Sequence, residues 1–424
     1  MRTSYMQVLK ERMIDMKIIN GGVTAAKGYK CASMRVGIKA SGSNRDLMLL
    51  VSDVPATCVG TFTKNKVKAA PVKWDMNVVY ETKKAQAVVV NTGIANAATG
   101  EPGLNNCKLT AEAVNEIMGI PTEYVICGST GVIGPQLPIE KIINGVKELS
   151  DKLSDSPEEA ENAAKAIMTT DTHKKDIAVE FEAGGKTCRI GAMCKGSGMI
   201  HPNMGTMLGY IMSDVAVDYD LALSTLREII EKTFNMVSVD GDTSTNDTVI
   251  FMANGLASNN EINDKNSDDY KNFYEALYEV CEFLAKNIAE DGEGATRLFT
   301  AHVTGAPDYE TAKIIAKSVI TSSLTKAAIF GKDANCGRIF CAMGYSGAEF
   351  DPDKVDITMV SEAGSIKLID KGMLPEFSEE EALKILEPKE ITAECELHMG
   401  DAEATAWGCD LTYDYVKINA DYRS

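Results

Sequence analysis

Short apolar runs along the chain stop at turn-forming residues, and their spacing separates strands from helices. Ala87-Val88-Val89-Val90 is a continuous apolar run that ends in a Gly/Asn-rich stretch, as a buried strand does. Residues 177–181 (Ile-Ala-Val-Glu-Phe) alternate like a half-buried strand, and Thr248-Val249-Ile250-Phe251-Met252 reads as another. Between these runs the period lengthens. Leu226, Ile229, Ile230 and Thr233 share one helical face, and Phe273, Leu277, Cys281 and Leu284 share another. Residues 376–388 carry a Ser-Glu-Glu-Glu helix start followed by Ala382, Leu383, Ile385 and Leu386. The polar stretches 150–160, with a helix cap, and Ser258 to Asp269 read as solvated connectors. Strands mixed irregularly with helices predict an α/β (α+β) protein and exclude a repeat array.

Composition narrows the class. The 424 residues suffice for one large domain or several, and 45% apolar residues supply a substantial core. A net charge of −18 argues against nucleic acid or an anionic membrane surface as partner, since both need clustered Lys and Arg. A small anionic substrate stays open, because one local cation can hold a carboxylate. No apolar run approaches the ~20 residues that span a bilayer. The first twenty residues alternate charge with apolar positions, lack the apolar centre of an export signal, and read as an amphipathic lead-in or irregular arm. Eleven scattered cysteines without a Cys-x-x-Cys pair fit reduced thiols, so the expected location is the cytoplasm. Four histidines, none two to four positions from another, give no metal-ligand spacing, and none is expected to hold a metal.

The candidate chemistry lies in residues 195–208, Lys-Gly-Ser-Gly-Met-Ile-His-Pro-Asn-Met-Gly-Thr-Met-Leu. Read alone, Gly-Ser-Gly is a turn and Thr206 opens a strand. Breaking the Gly205–Thr206 bond would change that: Thr206 would gain a free α-amine beside its own hydroxyl, base and nucleophile on one residue.

This stretch resembles the self-cleavage site of the ornithine acetyltransferase family of arginine biosynthesis, whose pattern is Lys-Gly-Ser-Gly-Met-Ile, a variable residue, then Pro-Asn-Met-Ala-Thr-Met-Leu. Gly205 stands where the family usually has Ala, which leaves the scissile carbonyl open to attack. The resemblance runs from about residue 20 to the last residue. Asn91-Thr92-Gly93-Ile94-Ala95-Asn96-Ala97 is similar to the family's Asn-Ser-Gly-Asn-Ala-Asn-Ala; as a dinucleotide loop it lacks Gly-x-Gly-x-x-Gly. Ser129-Thr130-Gly131-Val132-Ile133-Gly134 resembles the oxyanion-hole segment, which assigns that role to Thr130 and Gly131. Met168-Thr169-Thr170-Asp171-Thr172 resembles a substrate-contacting segment, with Thr169 the contact and Thr170 close behind. Residues 239–247 have calcium-loop composition without the required Gly and Glu; in the family this segment is a core signature without metal. Asp291-Gly292-Glu293-Gly294-Ala295-Thr296 resembles the segment whose Glu, here Glu293, contacts substrate. Gly331-Lys332-Asp333-Ala334-Asn335-Cys336-Gly337-Arg338-Ile339 matches another family segment with Ala334 for Pro and Cys336 for Trp. The chain's ending resembles the family's, which makes Asn419 and Ser424 substrate contacts; Lys195, which opens the cleavage motif, is the cation for a substrate carboxylate or for raising the acidity of Thr206.

The resemblance implies a self-processing N-terminal-threonine acyltransferase fold, with mixed sheets layered with helices. It implies an alpha fragment, 1–205, and a beta fragment, 206–424, folded as one unit and assembled with two copies of each. The implied reaction is ping-pong: Thr206 takes the acetyl group from N-acetylornithine and passes it to glutamate, with no cofactor. Some family members also use acetyl-CoA as donor, and these residues leave that open. The rival readings are an N-terminal-nucleophile amidase or aminopeptidase of related architecture, in which water replaces glutamate, and a binding protein that is never cut.

Overall fold

The computed structural model describes residues 16–39, 45–201 and 207–421. Among them the strands are β1 (Lys17–Ile19), β2 (Tyr29–Met34), β3 (Leu47–Phe62), β4 (Lys84–Ile94), β5 (Val125–Val132), β6 (Lys175–Ala183), β7 (Lys186–Lys195), β8 (Leu208–Ser213), β9 (Val237–Ser238), β10 (Thr248–Ala253), β11 (Leu298–Ala306), β12 (Asp356–Ser361), β13 (Gly364–Ile369), β14 (Glu390–Glu396) and β15 (Ala402–Cys409). The helices are α1 (Ala70–Asn77), α2 (Gly100–Met118), α3 (Ile139–Ser150), α4 (Pro157–Ala166), α5 (Tyr219–Lys232), α6 (Asp268–Glu290), α7 (Tyr309–Thr321), α8 (Ser323–Gly331), α9 (Cys336–Gly344), α10 (Glu379–Ile385) and α11 (Tyr413–Asp421).

Two mixed sheets organise these elements. The first runs β1-β6-β7-β8-β10-β3-β4-β5, with β2 also paired to β3; the second runs β13-β12-β14-β11-β15-β9. In the first sheet β8 and β10 are parallel, β10 and β3 antiparallel, and β4 and β5 parallel. Helix α6 packs against both sheets, touching β6 and β7 on one side and β9, β11 and β15 on the other. Elsewhere on the first sheet, α1 and α2 pack on β5, α3 on β3 and α4 on β2. This is the α/β (α+β) class, mixed sheets layered with helices.

Burial on both faces explains the continuous apolar runs. In β10, Val249 and Phe251 enter the core shared with α6, whereas Ile250 and Met252 enter the core on the other face. In β4, Val88 and Val90 join that second core, and Ala87 and Val89 a third. The α6 face read from the sequence is fully buried. Phe273 lies with its ring centroid 6.3 Å from Phe181 and 5.8 Å from Phe251. Phe273→Ala is expected to cost about 3–5 kcal/mol, seen as a lower denaturation midpoint; an unchanged midpoint would contradict this packing.

The helix start read at 376–388 is α10, capped by Ser378; it turns Ala382 and Ile385 inward and leaves Leu383 half exposed. The 258–269 connector is mostly exposed, as expected, and is tethered where Asn259 accepts from the Ala216 N–H and buried Ile262 bridges to Val217; Asp268 and Asp269 already belong to α6. The 150–160 stretch carries the expected helix cap, Ser156 at the start of α4, and pairs Ser154 with Cys31. Within the amphipathic lead-in, Lys17–Ile19 forms an edge strand on β6; residues 1–15 lie outside the described residues. Among the described residues no single helix is long and apolar enough to cross a membrane.

Candidate active site

The parallel strands β4 and β5 end side by side, with Thr92 opposite Thr130 and Gly93 opposite Gly131. Gly131 has φ +128°, and a Cβ there would lie 2.3 Å from the Gly93 carbonyl carbon. Both the dihedral and the close approach demand glycine. A polar lattice fixes the strand ends. Ser129 Oγ donates to Asn91 Oδ1 at 2.6 Å, and Asn91 Nδ2 donates to the Ile94 carbonyl at 2.9 Å. Asn246, arriving from the segment before β10, donates through Nδ2 to the carbonyls of Ala95 (2.6 Å) and Ser129 (2.8 Å). One side chain thereby holds both strand ends.

β7 ends at Lys195, which is buried. Burial pulls its ammonium below the usual lysine range; Asp171 opposes this, Lys175 adds to it, and Glu293 and Asp247 oppose it further. The backbone then takes left-handed turns at Ser197 (φ +94°) and Met199 (φ +56°). Asp240 holds this costly conformation by accepting from the N–H groups of Met199 (2.7 Å) and Ile200 (2.9 Å). Glu293, also buried, follows the end of α6. Its N–H donates to the Ser197 carbonyl, and its Oε2 accepts from Asn419 Nδ2 of α11 at 2.8 Å. Gly198 lies against this carboxylate, where a Cβ would come within 2.4 Å.

These elements enclose a cavity of about 160 Å³ lined by Thr130, Gly131, Thr169, Lys195, Glu293 and Asn419. All the sequence-predicted site residues that are described therefore meet in one place. Gly205, Thr206 and Ser424 lie outside the described residues. Met207, the residue after Thr206, lines a small annex of about 20 Å³ with Thr130, Lys195, Ser244 and Asn246. Thr169 and Thr170 both line the main cavity. Ser244, Thr245 and Asn246 also line it and were not expected to, since the segment was read only as a core signature. Its run of small polar residues was the available signal. The 331–339 segment does not line the cavity; Asn335 caps α9 instead.

Among the described residues the cavity offers one cation, one carboxylate and several hydroxyl and amide groups, a set suited to a zwitterionic amino acid. Among the described residues no three His, Cys, Asp or Glu side chains are placed to hold a metal, and the cysteines are unpaired thiols.

A family model described as the ArgJ family matches residues 30–424. The chain belongs to the ArgJ family. The arginine biosynthesis bifunctional protein ArgJ of Symbiobacterium thermophilum is 48% identical over 410 residues, covering 96% of this chain and 100% of the relative. ArgJ 1 of Clostridium acetobutylicum is 47% identical over 413 residues, covering 97% and 100%. Among solved structures, the ornithine acetyltransferase from Mycobacterium tuberculosis, complexed with ornithine, is 37% identical with a TM-score of 0.42; the match covers 45% of this chain and 99% of that one. The segments 129–131, 168–172, 195–200 and 291–296, singled out by resemblance, each supply residues to the cavity.

Proposed function

We propose that this ArgJ-family chain is a glutamate N-acetyltransferase that carries the acetyl group on Thr206. The observation that supports this best is the convergence of Thr130, Gly131, Thr169, Lys195, Glu293 and Asn419, far apart in sequence, on one small cavity that places the Lys195 ammonium and the Glu293 carboxylate together. In the first step Thr206 Oγ attacks the Gly205 carbonyl, and water hydrolyses the resulting ester. This separates the alpha fragment, 1–205, from the beta fragment, 206–424, and frees the Thr206 amine. With a reference pKa of ~7.7–8.0, a free α-amine can accept a proton near neutrality. Thr206 Oγ then attacks the acetyl carbonyl of N-acetylornithine while its proton passes to that amine. The oxyanion is held by Thr130 and the Gly131 N–H, and ornithine leaves after its nitrogen regains a proton. Glutamate enters, its amine attacks the acetyl-threonine ester, and N-acetylglutamate departs with the hydroxyl restored. No metal or organic cofactor is required to balance either half.

The substrate α-carboxylate is assigned to Lys195. Ornithine and glutamate carry opposite side-chain charges, and Glu293, Asn419 and Ser424 supply the mixed polarity that accommodates both. The fragments remain one folded unit and assemble with two copies of each in the cytoplasm. Intact mass with N-terminal sequencing tests processing: two fragments are expected, the second beginning at Thr206. Acetylornithine turnover with and without glutamate tests the reaction. Turnover independent of glutamate would mean that water is the acceptor and the protein an amidase or aminopeptidase. A fully active single chain would remove the mechanism. The same assay with acetyl-CoA in place of acetylornithine decides whether a second donor is used.

A further inference from the structure

The cavity is wired to a buried ion cluster that does not line it. Lys175, the first residue of β6, has a side chain with no solvent exposure. Its ammonium lies 2.7 Å from Asp171 Oδ1 and 2.5 Å from Asp291 Oδ2, and it also donates to the His173 carbonyl at 3.3 Å. Both carboxylates are buried as well. Asp171 accepts from the Thr169 N–H at 3.0 Å and the Gly196 N–H at 2.8 Å, so it holds the backbone at one cavity residue and next to another, Lys195. Asp291 accepts from the N–H and hydroxyl of Thr172, faces His173 Nδ1 at 3.4 Å, and stands two residues before Glu293.

We propose that Lys175 is a positioning residue for acyl transfer: by tying Asp171 of one proposed fragment to Asp291 of the other, it sets Thr169, Lys195 and Glu293 in one frame. The inference rests on the acetyltransferase reading above. A buried ion cluster is a poor source of stability, because desolvating the charges offsets most of their attraction, and apolar residues of the same volume usually serve as well. What it supplies is fixed geometry: the three ammonium donors meet Asp171, Asp291 and the His173 carbonyl in a single arrangement. Burial alone would lower the Lys175 ammonium, yet Asp171 and Asp291 hold it above the usual lysine range. Burial would likewise raise Asp171, but Lys195 and Lys175 keep it below the usual carboxylate range. The charged groups facing Lys195 are Asp171, Lys175, Glu293 and Asp247, with Lys39 also in range. Removing the Lys175 charge takes away a cation that disfavours the Lys195 ammonium.

The test compares full-length wild type with Lys175→Gln, each assayed for glutamate-dependent acetylornithine turnover across pH. Misplacing the cavity groups should lower kcat/KM of the variant by ~10²-fold, with KM for acetylornithine raised. The basic limb of its pH profile should move to higher pH, because Lys195 stays charged longer. A folded, processed Lys175→Gln protein with wild-type KM, kcat and pH limb would overturn the proposal, even if it melts earlier. If that variant does not fold, Asp291→Asn is read instead. It keeps an oxygen for Thr172 and removes the charge facing Lys175, and unchanged KM and kcat there would equally overturn the proposal. Wild-type protein inactive in this assay removes the acetyltransferase reading itself, whereas active wild type with an indifferent variant removes only the role of Lys175.

Discussion

Thr206→Ala is expected to give one uncut chain without acetyltransferase activity. The substitution removes the hydroxyl that attacks Gly205, so the bond stays closed and the α-amine never appears. It also removes the atom that carries the acetyl group, so cutting the chain by other means would not restore turnover. Loss of an enzyme nucleophile costs on the order of 10⁶-fold in kcat, which places the variant below detection in an ordinary assay. A denaturing gel and an acetylornithine–glutamate turnover assay read the two halves separately. A processed variant would take self-cleavage away from Thr206, and an active one would take away the acetyl carrier. Thr206→Ser keeps a hydroxyl and is the weaker experiment, since it can still be cut. The motif at 195–208 carries this prediction, supported by Met207, which lines the annex beside Thr130 and Lys195.

How far the molecule is legible in its sequence differs by element. Strands β4 and β10 read correctly because both of their faces are buried, which leaves a continuous apolar run that polar turns delimit. Helix α6 reads correctly on one face only. Its Glu279, Glu282 and Asn287 are buried too, because the helix packs against two sheets, and periodicity is blind to a polar residue that finds buried partners. For the site, spacing alone could not bring residues 130, 169, 195, 293 and 419 together; they lie on strand ends, a loop and a terminal helix that only the folded sheets make neighbours. Motif resemblance named them one by one. It passed over Asn246, whose contribution is two hydrogen bonds to backbone carbonyls. Lys175 was equally invisible, since a lysine opening a strand ordinarily means a solvated edge.

Thr130→Val is the second substitution with a large expected effect, and it separates chemistry from folding. Gly131 cannot serve that purpose. Its φ of +128° and the 2.3 Å approach of any Cβ to Gly93 mean that even Ala strains the backbone, so lost activity there would be ambiguous. The Gly131 N–H is also beyond the reach of side-chain substitution. Thr130 lies within β5 opposite Thr92, beside the register shift at Gly93–Ile94, and a β-branched replacement suits the strand. Thr130 lines both the cavity and its annex, and valine keeps its shape while removing the hydroxyl. If that hydroxyl donates to the oxyanion, it acts in the transition state and hardly in the ground state. The processed variant should then lose about 10²–10³-fold in kcat with KM for acetylornithine little changed. A rise in KM at constant kcat would instead make Thr130 a substrate contact, and kinetics within about threefold of wild type, less than a single donor is worth, would leave the oxyanion to the Gly131 N–H and groups not named here.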